Sequence, residues 1–134
     1  MAKLIEYNKD RLYGEELFWN LINEEPYFDD WTVIWGLAIS DHQKKQEGQS
    51  DFVLLGPLGI VVIEIKGGDK HIFKPEGGFE WGTNSKALMR SNETPLQQAS
   101  GNKYAIRKYL ENNHRSISKI RKTIFAHGAA FPLG

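Results

Sequence analysis

Residues 49–68, QSDFVLLGPLGIVVIEIKGG, constrain this chain more than any other stretch. Asp51 opens an apolar run. Gly56-Pro57-Leu58-Gly59 then places Pro and Gly where a chain reversal needs them. The run from Ile60 to Ile65 is almost entirely β-branched, which suits a buried strand. It nevertheless ends in Glu64 and Lys66, and a buried charge without a partner is costly. A hairpin folded about Leu58 answers part of that difficulty by bringing Asp51 across from Glu64 and Ile65. Side chains alternate along a strand, so Glu64 and Lys66 share a face and Ile65 points away. Two carboxylates and an ammonium are thus expected at the open end of the hairpin. Two readings of this cluster stand side by side. It can hold a hard cation such as magnesium with a lysine orienting water, or it can be a buried ion-pair network.

The rest of the chain supplies elements to pack around this hairpin. A first helix is expected over residues 9–23, with Asn8 as its cap. On a wheel of about 100° per residue, Glu15 falls inside the apolar face with Phe18, Trp19 and Ile22. Glu16 falls on the polar side with Asn23 and reads as a solvated helix charge. Residues 24–30 read as an acidic linker, and residues 32–39 as a strand. Residues 40–48 read as a polar loop next to the hairpin's charged end, in which His42 and Glu47 are expected to be solvated, with approach to a substrate as the alternative. Two short strands, 71–74 and 79–81, flank Pro75-Glu76-Gly77-Gly78, and Trp81 reads as a core or rim tryptophan, with stacking on a nucleic-acid base as its alternative. A polar loop follows over residues 82–93. Thr94, Pro95 and Gln97 then form a capping box for a second helix ending near Asn112. The box accounts for Gln97 but not for Gln98, which lies at the edge of the inward face and is expected to reach toward the hairpin's charged end. A last strand is expected over residues 123–131.

Taken in order, the Gly14-Glu15 pair, Gln49-Ser50-Asp51-Phe52, residues 59–68 with Glu64-Ile65-Lys66, Trp81 and Pro95-Leu96-Gln97-Gln98-Ala99 resemble the nuclease-related domain (NERD) of the PD-(D/E)xK nuclease superfamily. The pieces span most of the chain. One position departs from the pattern: Thr94 stands where an Asn often precedes the Pro. The resemblance implies an α/β fold, a mixed central sheet flanked by helices, with the restriction-endonuclease-like core in the order αβββαβ. It implies metal-assisted phosphodiester hydrolysis. Asp51, Glu64 and the main-chain carbonyl of Ile65 would hold Mg2+ or Mn2+, and Lys66 would position or deprotonate the attacking water. Glu15 and Gln98 would support them. The implied partner is nucleic acid, DNA in preference to RNA, within a protein that can carry a fused helicase-like or other DNA-processing region. A non-catalytic nucleic-acid-binding module and a regulatory interaction domain are the rival readings.

Composition bounds these expectations. At 134 residues with 40% apolar content, the chain is expected to form one domain, possible as the front part of a longer protein. No apolar run is long enough to span a membrane, and the N-terminus lacks the apolar segment of a signal peptide. With no cysteine, disulfides and thiolate metal sites are excluded, and the cytoplasm is the expected location. Net charge is zero but unevenly placed. Residues 1–50 carry five Lys or Arg against ten Asp or Glu, whereas residues 101–134 carry seven against one. That asymmetry fits either an anionic partner for the C-terminal third or a solvated helix face.

Overall fold

The computed structural model describes residues 1–7, 12–38, 49–57, 59–83, 88–113, 119 and 122–132. Asn8, Leu58, His42 and Glu47 lie outside them. The architecture is α/β. A five-stranded mixed sheet runs in the order β1 (Lys3–Glu6), β2 (Thr32–Ala38), β3 (Gln49–Leu55), β4 (Gly59–Ile65), β8 (Ile124–Ala130). A three-stranded sheet follows the order β5 (Lys70–Phe73), β6 (Phe79–Gly82), β7 (Met89–Ser91). The helices are α1 (Tyr13–Glu24) and α2 (Pro95–Asn113). Within this order, α1, β2, β3, β4, α2 and β8 reproduce the αβββαβ core expected from the sequence.

The hairpin forms because its two strands bury both faces. Phe52 pairs with Ile63, and Leu55 with Ile60. On one face, Phe52, Leu54 and Ile65 join Val33 and Trp35 under α1, whose Phe18, Trp19 and Ile22 point inward as the wheel predicts. On the other face, Val53 and Val62 pack against Ile106 of α2, with Leu110 beside them. Strand alternation therefore puts Asp51, Glu64 and Lys66 on the α2 side of the sheet. Gly59 is required by proximity: a Cβ there would overlap the carbonyl oxygen of Ile124 on the parallel neighbour β8.

Four expectations need correction. The first helix does not begin at residue 9. Leu12 is extended, with φ −74° and ψ 148°, and the helix starts at Tyr13 without a side-chain cap. The N-terminal segment, unassigned in the sequence, is strand β1, parallel to β2 with Lys3 opposite Thr32. The supposed linker contains a 3-10 turn, Pro26–Phe28, in which Tyr27, Phe28 and Trp31 pack on one another. The supposed loop after residue 82 contains β7, which pairs with β6 and makes the small sheet three-stranded. The second helix begins as expected. Thr94 N–H donates to Gln97 Oε1 at 2.8 Å, and Gln97 N–H donates to Thr94 Oγ1 at 3.2 Å. Among the described residues, no helix is long and apolar enough to cross a membrane.

Candidate active site

The open end of the hairpin gathers the charged residues. Asp51 Oδ2 accepts a hydrogen bond from the Ile65 N–H at 2.7 Å, which locks the end of β3 to the end of β4. Glu64 and Asp51 are near enough to share a hydrogen bond. Lys66 Nζ lies 3.4 Å from Glu64 Oε1, and both side chains are about nine-tenths buried. Ile65, between them, sends its side chain into the α1 core.

Glu15 approaches from α1. Gly14, just before it, packs against Gly67, where even a Cβ would come within 3.3 Å of the Gly67 Cα. Glu15 is 4% exposed, and its Oε1 accepts from Trp35 Nε1–H at 2.8 Å. It feels the charge of Asp51, and its own charge is felt at Glu64. Glu16, expected on the solvated side, is half-buried. Gln98 is placed differently from its expected aim. Its Nε2 donates to Ser91 Oγ at 3.1 Å, which ties α2 to β7. Its Oε1 is buried without a hydrogen-bond partner among the described residues.

The electrostatics follow from this crowding of like charges. Burial, and after it the neighbouring Glu64 charge, push the Asp51 carboxyl up to about 7, with the Ile65 N–H and Lys66 only partly opposing them. Glu64 is raised chiefly by burial, against the pull of Lys66. Glu15 is also raised by burial, with the Trp35 hydrogen bond opposing and the Asp51 charge reinforcing. Three carboxyls are thus crowded together with raised affinity for protons, and Lys66 opposes that crowding at Asp51 and Glu64. A divalent cation would satisfy such a group better than a proton. Among the described residues, no three His, Cys, Asp or Glu side chains form a metal cage. The donor set available is two carboxylates with main-chain and water oxygens, which suits magnesium, an ion that commonly uses one or two carboxylates and keeps several waters.

One residue read from the sequence as a core or rim tryptophan stands at the site. Trp81, on β6, lies with its ring centroid 3.9 Å from Lys66 Nζ. The face of the small sheet that carries His71, Phe79 and Trp81 turns toward the end of β8, where the ring of Phe131, just past that strand, packs at a tilt on His71 with centroids 4.7 Å apart. Spacing gave no signal for this contact, because strands β5 and β6 sit outside the hairpin whose register was legible. A separate apolar depression of about 320 Å³, lined by Tyr27, Trp31, Pro57, Ile60 and Ile124, lies at the opposite, turn end of the hairpin.

With this geometry in view, the comparison with known families is specific. The profile of one family, described as the nuclease-related domain (NERD), matches residues 11–127, which run from α1 through α2 and into the first half of β8. No significant match was found among curated proteins or among solved structures.

Proposed function

This chain belongs to the nuclease-related domain family, and we propose that it is a metal-dependent nuclease hydrolysing phosphodiester bonds, in DNA in preference to RNA. The observation that carries the reading is the convergence of Asp51 and Glu64, from adjacent strands, with Lys66 3.4 Å from Glu64. Asp51, Glu64 and the main-chain carbonyl of Ile65 would hold Mg2+ or Mn2+. Once bound, the cation supplies Lewis-acid polarisation of the scissile phosphate. The protein's own contribution is positional. Asp51 is fixed by the Ile65 N–H, so its second oxygen has a defined direction. Lys66, restrained by Glu64, presents N–H donors that orient the attacking water. Glu15, anchored to Trp35, backs the cluster with negative charge, and Gln98 holds the neighbouring small sheet to α2.

The substrate is a polyanion, and the C-terminal third supplies cations for it. Lys108, Lys119 and Lys122 are exposed, while Lys103 and Arg107 lie over the rings of Tyr104 and Phe125. Phosphate contacts from such residues make binding salt-sensitive. The test is cleavage of labelled single- and double-stranded DNA and RNA with Mg2+, Mn2+ or EDTA. Cleavage that needs the divalent cation supports the enzyme. Salt-sensitive binding with no cleavage of any substrate would replace it with a nucleic-acid-binding module.

A further inference from the structure

We propose that Trp81 is a positioning residue for Lys66: the indole face of the small sheet clamps the ammonium against Glu64. This inference rests on the nuclease reading for its catalytic consequence, but the clamp itself is a property of the protein without metal or substrate.

The argument begins with the lysine. Its side chain is long and flexible, and holding it in one place costs rotamer freedom. Its contact with Glu64, at 3.4 Å, is longer than the ~2.7–2.9 Å of a tight charge-assisted hydrogen bond. Glu64 alone therefore leaves the ammonium room to move. The Trp81 ring, 3.9 Å away, limits that room from a different element of the fold. A cation over an indole face is attracted by the ring's quadrupole, and burial strengthens the attraction. Lys66 is 7% exposed.

The clamp is itself held rigidly. Phe79, 1% exposed, stacks on Trp81 with centroids 5.7 Å apart and an interplanar angle of 20°. The backbone returns to the site immediately after Lys66. Gly68 has φ +77°, and a Cβ there would overlap the carbonyl oxygen of Gly82, the residue after Trp81. His71 Nε2 lies 3.2 Å from the Gly67 carbonyl oxygen, a second tie between the small sheet and this segment. Gly68 thus lets the chain pass close to Gly82, so that Trp81 reaches Lys66. Precise placement has catalytic weight, because a displacement of about 1 Å in a reacting group can lower a rate ~100-fold.

The experiment combines two readouts on the full chain. In metal-free protein with 13C-labelled lysine, the Hε protons of Lys66 should resonate upfield of the other lysines, since they lie in the ring current of Trp81. The signal is assigned by its loss in Lys66→Met. It should vanish in Trp81→Leu and persist, displaced less, in Trp81→Phe, which keeps an aromatic face and a fold the leucine variant could lose. In cleavage assays, Trp81→Leu should lower kcat by ~10–100-fold with KM within about twofold of the parent, and Trp81→Phe should recover most of the loss. An ordinary Hε position in the parent overturns the clamp. So does a Trp81→Leu protein that raises KM at unchanged kcat, the pattern of an indole that stacks on a substrate base. If the parent cleaves nothing, the nuclease reading falls, and the presence or absence of the displaced signal still decides the clamp.

Discussion

At the turn end of the β3–β4 hairpin, Tyr27, Trp31, Pro57 and Ile124 surround an apolar depression, and Gly59 lets β8 run close by. At the open end of the same hairpin, two carboxylates and an ammonium are buried within a few ångströms of one another. The two ends share strands, register and neighbours, so their difference is one of chemistry rather than of architecture. The turn end is stabilised by what the fold removes from water. The open end works against the fold, since burial raises the pKa of Asp51, Glu64 and Glu15 and like charges are held together. A chain tolerates such a cost where the groups have a task, and strongly perturbed carboxyls beside a lysine are typical of sites that do chemistry.

The sharpest way to break this comparison is to remove one carboxylate. Asp51→Ala or Glu64→Ala should abolish metal-dependent cleavage, because a cation held by few protein ligands cannot lose one cheaply. Circular dichroism should report a folded protein, since relieving the like-charge crowding offsets the lost contacts. Next in size is Lys66→Ala, which should lower kcat by ~10²–10⁴-fold, the range for a lost acid/base or water-orienting group. Divalent-cation affinity should hold or rise, because a neighbouring positive charge has gone. Cleavage at the parent's rate would remove Lys66 from the mechanism.

The turn end should respond in the opposite currency. Gly59→Ala forces a methyl onto the Ile124 carbonyl, so urea unfolding should show a loss of about 1–3 kcal/mol. The folded protein should keep its divalent-cation affinity. A loss of cation binding without a loss of stability would erase the distinction between the two ends.

How much of this was legible from the sequence divides along the same lines. The hairpin and its register could be read because Pro57 and the β-branched run of β4 are local signals. The capping box of α2 is similarly contained in four residues, and the apolar stripe of α1 fixed its rotation. Strand β1 was missed because Lys3–Glu6 is short and its partner, β2, lies far along the chain. Strand β7, three residues long, has meaning only once β6 is in place. The Lys66–Trp81 contact and the Glu15–Trp35 hydrogen bond were also hidden. Each joins elements whose relative placement depends on packing, and neither has a spacing rule.

A smaller effect concerns pH. The native Asp51 carboxyl sits near 7, above the ~3.9 of an unfolded chain, so the native state holds the proton more tightly. Its contribution to stability is full below the unfolded value and is lost as pH rises through about 7. Glu64 and Glu15 act in the same direction. In EDTA, denaturant unfolding should therefore show stability falling by ~1–3 kcal/mol between about pH 5 and 8. Asp51→Asn should flatten that slope, and added Mg2+ should counter it by binding the ionised pair. A slope unchanged by Asp51→Asn would place the titrating group elsewhere.

The central claim is that the open end of the hairpin holds a divalent cation on Asp51 and Glu64. Calorimetric titration of the metal-free protein with Mn2+, beside Asp51→Asn and Gly59→Ala, tests it most directly. The account predicts saturable binding in the parent, accompanied by proton release that grows as pH falls toward 7 and below. Binding should be retained in Gly59→Ala and lost in Asp51→Asn. Equal Mn2+ binding by the parent and Asp51→Asn, or no saturable binding by the parent, would contradict it.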